Sequence, residues 1–152
     1  LIVPIADGLR LGANLSVHDY LVDDETEFAS AFGADLEYGA YYQPGPHLQV
    51  GVVAGDNWKA GQDVSFLTGQ AVYMHYIPVD SRSGNVVGFE PVARISWGDP
   101  NGDMDEDGGT LLTPGFMVYF KQRTRIGASL DIWNPQSGNT DYSLKVQSYI
   151  CF

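Results

Sequence analysis

The stretch from Asp141 to Phe152 alternates with a period of two, and that period narrows what the whole chain can fold into. Tyr142, Leu144, Val146, Ile150 and Phe152 share one parity, broken only by Ser148, while Ser143, Lys145, Gln147 and Tyr149 fall on the other. Such alternation describes a β-strand with one apolar and one polar face. From Tyr142 to Phe152 the strand runs roughly 33 Å, or about 25 Å of height at a tilt near 40°, the height of the apolar band on a membrane-spanning barrel. An edge strand of a soluble β domain would carry the same pattern, so the other segments have to be weighed.

Seven earlier segments alternate in the same way, which predicts strands over about 9–18, 28–42, 48–55, 66–78, 86–97, 111–120, 125–133 and 141–152 in a single region spanning 1–152. Pro91 falls inside the fifth, where a missing N–H calls for a bulge or a shorter strand. The links after strands one, three, five and seven read as long and mostly acidic, the acidic run Asp19 to Glu27 among them; those after two, four and six read as short, with Lys121-Gln122-Arg123-Thr124 a tight turn. Eight antiparallel strands with long links at one end and short ones at the other predict an all-β transmembrane barrel.

Composition fits. Hydrophobic residues make up 44% of the 152 residues, yet no apolar run approaches the ~18 residues of a membrane helix, so the apolar content is held in alternation. A net charge of −11 argues against nucleic acid as a partner. Cys151 is the single cysteine, which excludes an internal disulfide framework. The opening Leu1-Ile2-Val3-Pro4 reads as the end of something, either a processed chain or a piece of a longer one.

In a soluble barrel the apolar parity fills the interior and takes an apolar ligand; in a membrane barrel it faces lipid and the polar parity lines the lumen. Phe32, Tyr38, Phe89, Trp97, Phe120, Tyr142 and Phe152 lie at the ends of apolar rows, as aromatic girdles do, which favours the second arrangement. The lumen-facing set is then Arg10, Asn14, His18, Asp35, Glu37, Tyr73, His75, Glu90, Arg94, Arg125, Asp131 and Lys145. Glu90 and Arg94 are about 13 Å apart on one face of their strand, so they cannot pair directly but can pair across strands.

No nucleophile stands in a motif with a base, and His18, His47 and His75 share no ligand spacing, so catalysis is not expected. Asp99, Asn101, Asp103, Asp105 and Asp107 alternate within the loop 99–109 and could gather Ca²⁺ through oxygen, although Met104 and Thr110 break the EF-hand pattern. The simpler expectation is a solvated acidic loop that divalent ions bridge to lipopolysaccharide.

Gly8-Leu9-Arg10-Leu11-Gly12-Ala13, Phe32-Gly33-Ala34-Asp35-Leu36-Glu37-Tyr38 and Phe89-Glu90-Pro91-Val92-Ala93-Arg94 with Asp99-Pro100 resemble, in that order, the C-terminal half of phosphate-selective porin O and P-like proteins. Gly115 to Phe120 and the closing strand extend the resemblance over most of the chain. It implies a sixteen-stranded pore, often a homotrimer, in the bacterial outer membrane, of which these would be the last eight strands. Ile5-Ala6-Asp7-Gly8 would then be a periplasmic turn, and terminal Phe152 resembles the assembly signal of outer-membrane proteins. The resemblance implies passive diffusion of small hydrophilic solutes or ions. Anion-selecting members have a basic lumen, whereas the polar parity here holds about as many carboxylates as bases, which speaks against phosphate selectivity. The competing expectation is a complete eight-stranded barrel serving as an anchor or interaction scaffold.

Overall fold

The computed structural model describes residues 1–150 apart from 23, 41–42, 61–62, 81, 83 and 122–123. Among them nine strands form one antiparallel sheet in sequence order: β1 (Ile2–Ala6), β2 (Leu9–Val22), β3 (Glu25–Tyr38), β4 (Gly45–Asp56), β5 (Ser65–Pro78), β6 (Val86–Asp99), β7 (Gly109–Phe120), β8 (Arg125–Pro135) and β9 (Asp141–Tyr149). Among the described residues β1 and β9 do not pair with each other, so the sheet is open at both edges.

β2 to β9 match the eight expected strands in order. The ninth, β1, was hidden because its register shifts between Pro4 and Ala6 and spoils the alternation. The expected turn at residues 5–8 shortens to Asp7–Gly8, where Gly8 takes φ +73°, a conformation glycine adopts freely. The acidic run 19–27 is not a long loop: β2 continues to Val22, which faces Glu25 at the start of β3, and Asp24 takes φ +67°. Carboxylates report solvation there, and a solvated strand satisfies them as well as a loop does. With that link reduced to two residues, the expected alternation of long and short connections does not hold. The predicted strand ends at 41–42, the Gln122-Arg123 part of the tight turn, and terminal Phe152 with its assembly role lie outside the described residues.

Register aligns the alternating strands into continuous rows. Leu11, Leu36, Val50, Ala71, Ile95, Leu112, Ile132 and Tyr142 stand opposite one another from β2 to β9 without a polar interruption. That face is open: Leu15 is 73% exposed, Phe28 69% and Leu144 74%. The next row on the opposite face runs Arg10, Glu37, Gln49, Val72, Arg94 and Thr113. Buried side chains, apolar and polar, all lie on this second, sheltered face: Ala29, Met74 and Tyr119 beside His47, Glu90, Thr113 and Asp131. A barrel filled by its apolar parity would bury Tyr38, Ile95 and Leu144, and all three are exposed.

Pro91 and Pro114 stand inside β6 and β7 without ending them. Neither the bulge nor the shorter strand expected at Pro91 is found: β6 runs through it, and its register shift falls between Val86 and Gly88. Instead each proline costs pairing on one side. The β5–β6 ladder skips from Met74–Val92 to Ile77–Phe89, and the β7–β8 ladder from Leu112–Ile132 to Gly115–Ser129, because neither proline has an N–H to offer. Glycines meet large rings at other points: Trp97 lies over Gly69, Trp133 over Gly109 and Tyr76 over Gly88, where any Cβ would collide with the ring.

Candidate functional site

The sheltered face gathers nearly all the polar residues expected to line a lumen, and its register decides which meet. At the β2–β4 end, Arg10 Nη2 lies 2.9 Å from Glu37 Oε1, and buried His47 Nε2 lies 2.8 Å from the same oxygen. At the β6–β9 end, Arg94 Nη2 donates to Thr113 Oγ1 at 3.2 Å and Thr113 Oγ1 donates to Asp131 Oδ1 at 2.7 Å. Lys145 Nζ pairs with the other Asp131 oxygen, while Arg94 Nη2 stands 3.9 Å from Oδ1. The Thr113–Asp131 bond fills the gap in the β7–β8 ladder beside Pro114. Nearer the 121–124 turn, Tyr119 donates its hydroxyl to buried Glu90 at 2.5 Å, and Tyr76 meets the Tyr119 ring edge-on with centroids 5.2 Å apart. Arg125 sits over the Tyr149 ring, 4.3 Å from its centroid.

Arg10, Asn14, His18, Asp35, Glu37, Glu90, Arg94, Arg125, Asp131 and Lys145 thus stand on the sheltered face as expected from parity. Tyr73 and His75 do not. Tyr73 faces Leu48 and Ala93, and His75 faces Pro46, which sets both on the exposed apolar face, where Tyr73 Oη lies 3.1 Å from His75 Nδ1. β5 misleads because Val72, Met74 and Tyr76 make its sheltered side apolar as well, so polarity alone could not assign its faces. Tyr119 and Thr113 belong to the site and were not predicted, and His47 belongs to it although the lumen-facing set left it out. Tyr119 and Thr113 carried a signal, since they share the parity opposite Phe116 and Val118; His47 lay one residue before the expected strand start at 48.

The five oxygen-bearing residues of 99–109 do not converge as the Ca²⁺ expectation required. Asp99 Oδ1 accepts the Asn101 N–H and Asn101 Oδ1 accepts the Asp103 N–H, both at 3.1 Å, so these side chains turn back onto their own loop. Among the described residues no group of three or more His, Cys, Asp or Glu is placed to hold a metal ion.

Charge is segregated by rim. The rim holding 23–24, 57–64, 100–108 and 136–140 carries Asp24, Glu25, Asp56, Asp63, Asp99, Asp103, Asp105, Glu106 and Asp107, with Lys59 the one base among the described residues. Here Trp58 folds from the 57–64 link onto β2, stacking on Tyr20 at 5.5 Å and tilting against His18 at 5.6 Å.

Two hollows open on the sheltered face. One of about 460 Å³ is lined by Asn14, Asp35, Glu37, Gln49, Thr68, Gln70 and Ser96. The other, about 390 Å³, is lined by Arg94, Thr113, Asp131, Lys145 and Gln147, and shares Gln49 and Gln70 with the first. No family model, curated protein or solved structure matches the chain.

Proposed function

We propose that this sheet is wall from an outer-membrane β-barrel porin, with the apolar face against lipid and the sheltered face lining a water-filled channel for passive diffusion of small hydrophilic solutes or ions. One observation carries the reading: an unbroken apolar row crosses eight strands on the open face while carboxylates and a histidine are buried on the other. In water each large apolar side chain left open forgoes about 1.5–3 kcal/mol of burial, whereas in lipid the same face is solvated. The two unpaired edges support a ring larger than a small closed barrel, since an eight-stranded barrel would join its first and last strands. The alternation and the ordered motifs that resemble phosphate-selective porin O and P-like proteins support the same assignment, and with it a trimer in the bacterial outer membrane, outer loops in contact with lipopolysaccharide and no catalysis.

The acidic rim concentrates cations and repels anions at the channel mouth, so the ion preference is weakly cationic or absent. The test is purification of the intact chain in detergent and reconstitution into a planar bilayer. Ohmic steps with reversal potentials favouring cations, or neither ion, are expected; clear anion preference would overturn the selectivity. A chain that stays soluble without detergent would overturn the membrane reading, and one that inserts without conducting would leave it a membrane scaffold.

A further inference from the structure

Within the sheltered face the two adjoining hollows carry opposite unbalanced charge. In the first, Glu37 is answered by Arg10 at 2.9 Å, but Asp35 makes no ion pair or hydrogen bond among the described residues. Its carboxylate lies across Gly12, where any Cβ would strike it, so a glycine on the neighbouring strand provides its seat. In the second, Arg94 and Lys145 share the single carboxylate of Asp131, leaving one positive charge over. Arg94 is held loosely: its Nε is shielded from water and has no acceptor among the described residues. Gln49 and Gln70 line both hollows, so a polar floor joins the negative seat to the positive one.

From these observations we infer that the face binds zwitterions whose charges are several bonds apart, short peptides with free termini being the class that fits. The inference deepens the channel reading and rests on it. Asp35 on β3 and Arg94 on β6 are separated by three inter-strand steps and two residues along the strand, roughly 16 Å of wall before the reach of the two side chains is subtracted. An extended peptide spans ~3.5 Å per residue, so two to four residues bridge that interval while a single amino acid does not. The α-ammonium would sit against Asp35 and the terminal carboxylate against Arg94 and Lys145, with Gln49 and Gln70 facing the peptide bonds. Charge-assisted contacts of this kind discriminate by leaving a buried or half-buried group unanswered when the wrong solute binds.

The experiment uses the full chain in detergent with four probes: trialanine, N-acetyl-trialanine, trialanine amide and alanine. Binding is followed by calorimetric titration, and liposome swelling with a neutral sugar runs in parallel to test for a channel. Trialanine should bind at least fivefold more tightly than each blocked peptide and than alanine. Asp35→Asn should erase the preference over the acetylated peptide and keep that over the amide. Lys145→Gln, which leaves Asp131 paired with Thr113 and near Arg94, should weaken discrimination against the amide alone. Sugar entry with equal binding of all four probes would overturn the zwitterion site and leave the channel standing. Selective binding without sugar entry would overturn the channel and leave the site. Loss of both preferences in each single variant would show that the charges do not act separately and would overturn the assignment of ends.

Discussion

The wall made by β2–β4 and the wall made by β6–β8 share the same exposed apolar rows but hold their sheltered charges differently. β2 and β3 pair without a break from Leu9–Tyr38 to Val22–Glu25, and the carboxylates above that ladder are half-buried or open: Glu37 is met by Arg10 and His47, and Asp35 by no partner among the described residues. In β6–β8 two prolines cut the ladders, and beside each cut a carboxylate is buried under side-chain donors, Glu90 next to Pro91 and Asp131 across from Thr113 next to Pro114. The contrast teaches that where the backbone pairs completely the side chains are released toward solvent, and where it is cut a side-chain bond can join the strands instead, as Thr113–Asp131 does between β7 and β8.

The largest effect should be one the two walls share. Leu36→Arg in the first and Ile95→Arg in the second lie in the same exposed row, and each should destabilise a lipid-inserted sheet by about 2–4 kcal/mol, the cost of a cation facing the bilayer interior. Urea titration of tryptophan fluorescence in phospholipid vesicles measures it. Equal losses confine the contrast to the sheltered face; no loss in either would break the lipid assignment itself.

Next in size is Tyr119→Phe. Glu90 keeps its burial and loses the hydroxyl that donates to it, so stability should fall by about 1.5–3 kcal/mol, the range for hydrogen bonds to charged groups. Arg10→Gln in the other wall should cost only about 0–1 kcal/mol, because that pair is partly open to water and His47 still faces Glu37. If the two variants cost the same in the urea titration, the distinction between solute-facing and strand-joining charge disappears.

Much of the frame was legible before any coordinates, because period-two alternation states both the strand and its faces. Eight strands and ten of twelve sheltered polar residues follow from parity alone. What failed had local physical causes. Tyr73 and His75 went to the wrong face since β5 is apolar on both sides, and only its neighbours' register resolves it. β1 was missed through the register shift between Pro4 and Ala6, and the 19–27 hairpin through the assumption that a run of carboxylates cannot pair as strands. In the 99–109 loop two of the alternate oxygens, on Asp99 and Asn101, cap their own backbone instead of converging, which spacing alone does not reveal. The Tyr119–Glu90 and Thr113–Asp131 pairs needed cross-strand register, which no single segment of sequence contains.

The finest test separates the prolines from the side chains that accompany them. Pro91→Ala and Pro114→Ala each restore an N–H at a place where the ladder is cut. A recovered backbone bond contributes about 0.5–1.5 kcal/mol, and loss of the proline's restraint on the unfolded chain removes about 0.4–1 kcal/mol, so the net change in stability should stay below ~1 kcal/mol in either direction. Amide exchange is the more telling measurement. At position 91 the new N–H should be protected, since the Tyr76 hydroxyl on β5 reaches past the gap to the Val87 carbonyl and, among the described residues, no side-chain bond from β5 ends at 90 or 91. At position 114 the Thr113–Asp131 bond already fixes the spacing of β7 and β8, so the new amide should be less protected than at 91. Equal, strong protection at both would mean that the threonine–aspartate bond merely accompanies the cut and does not bridge it, and the two walls would then differ in backbone alone.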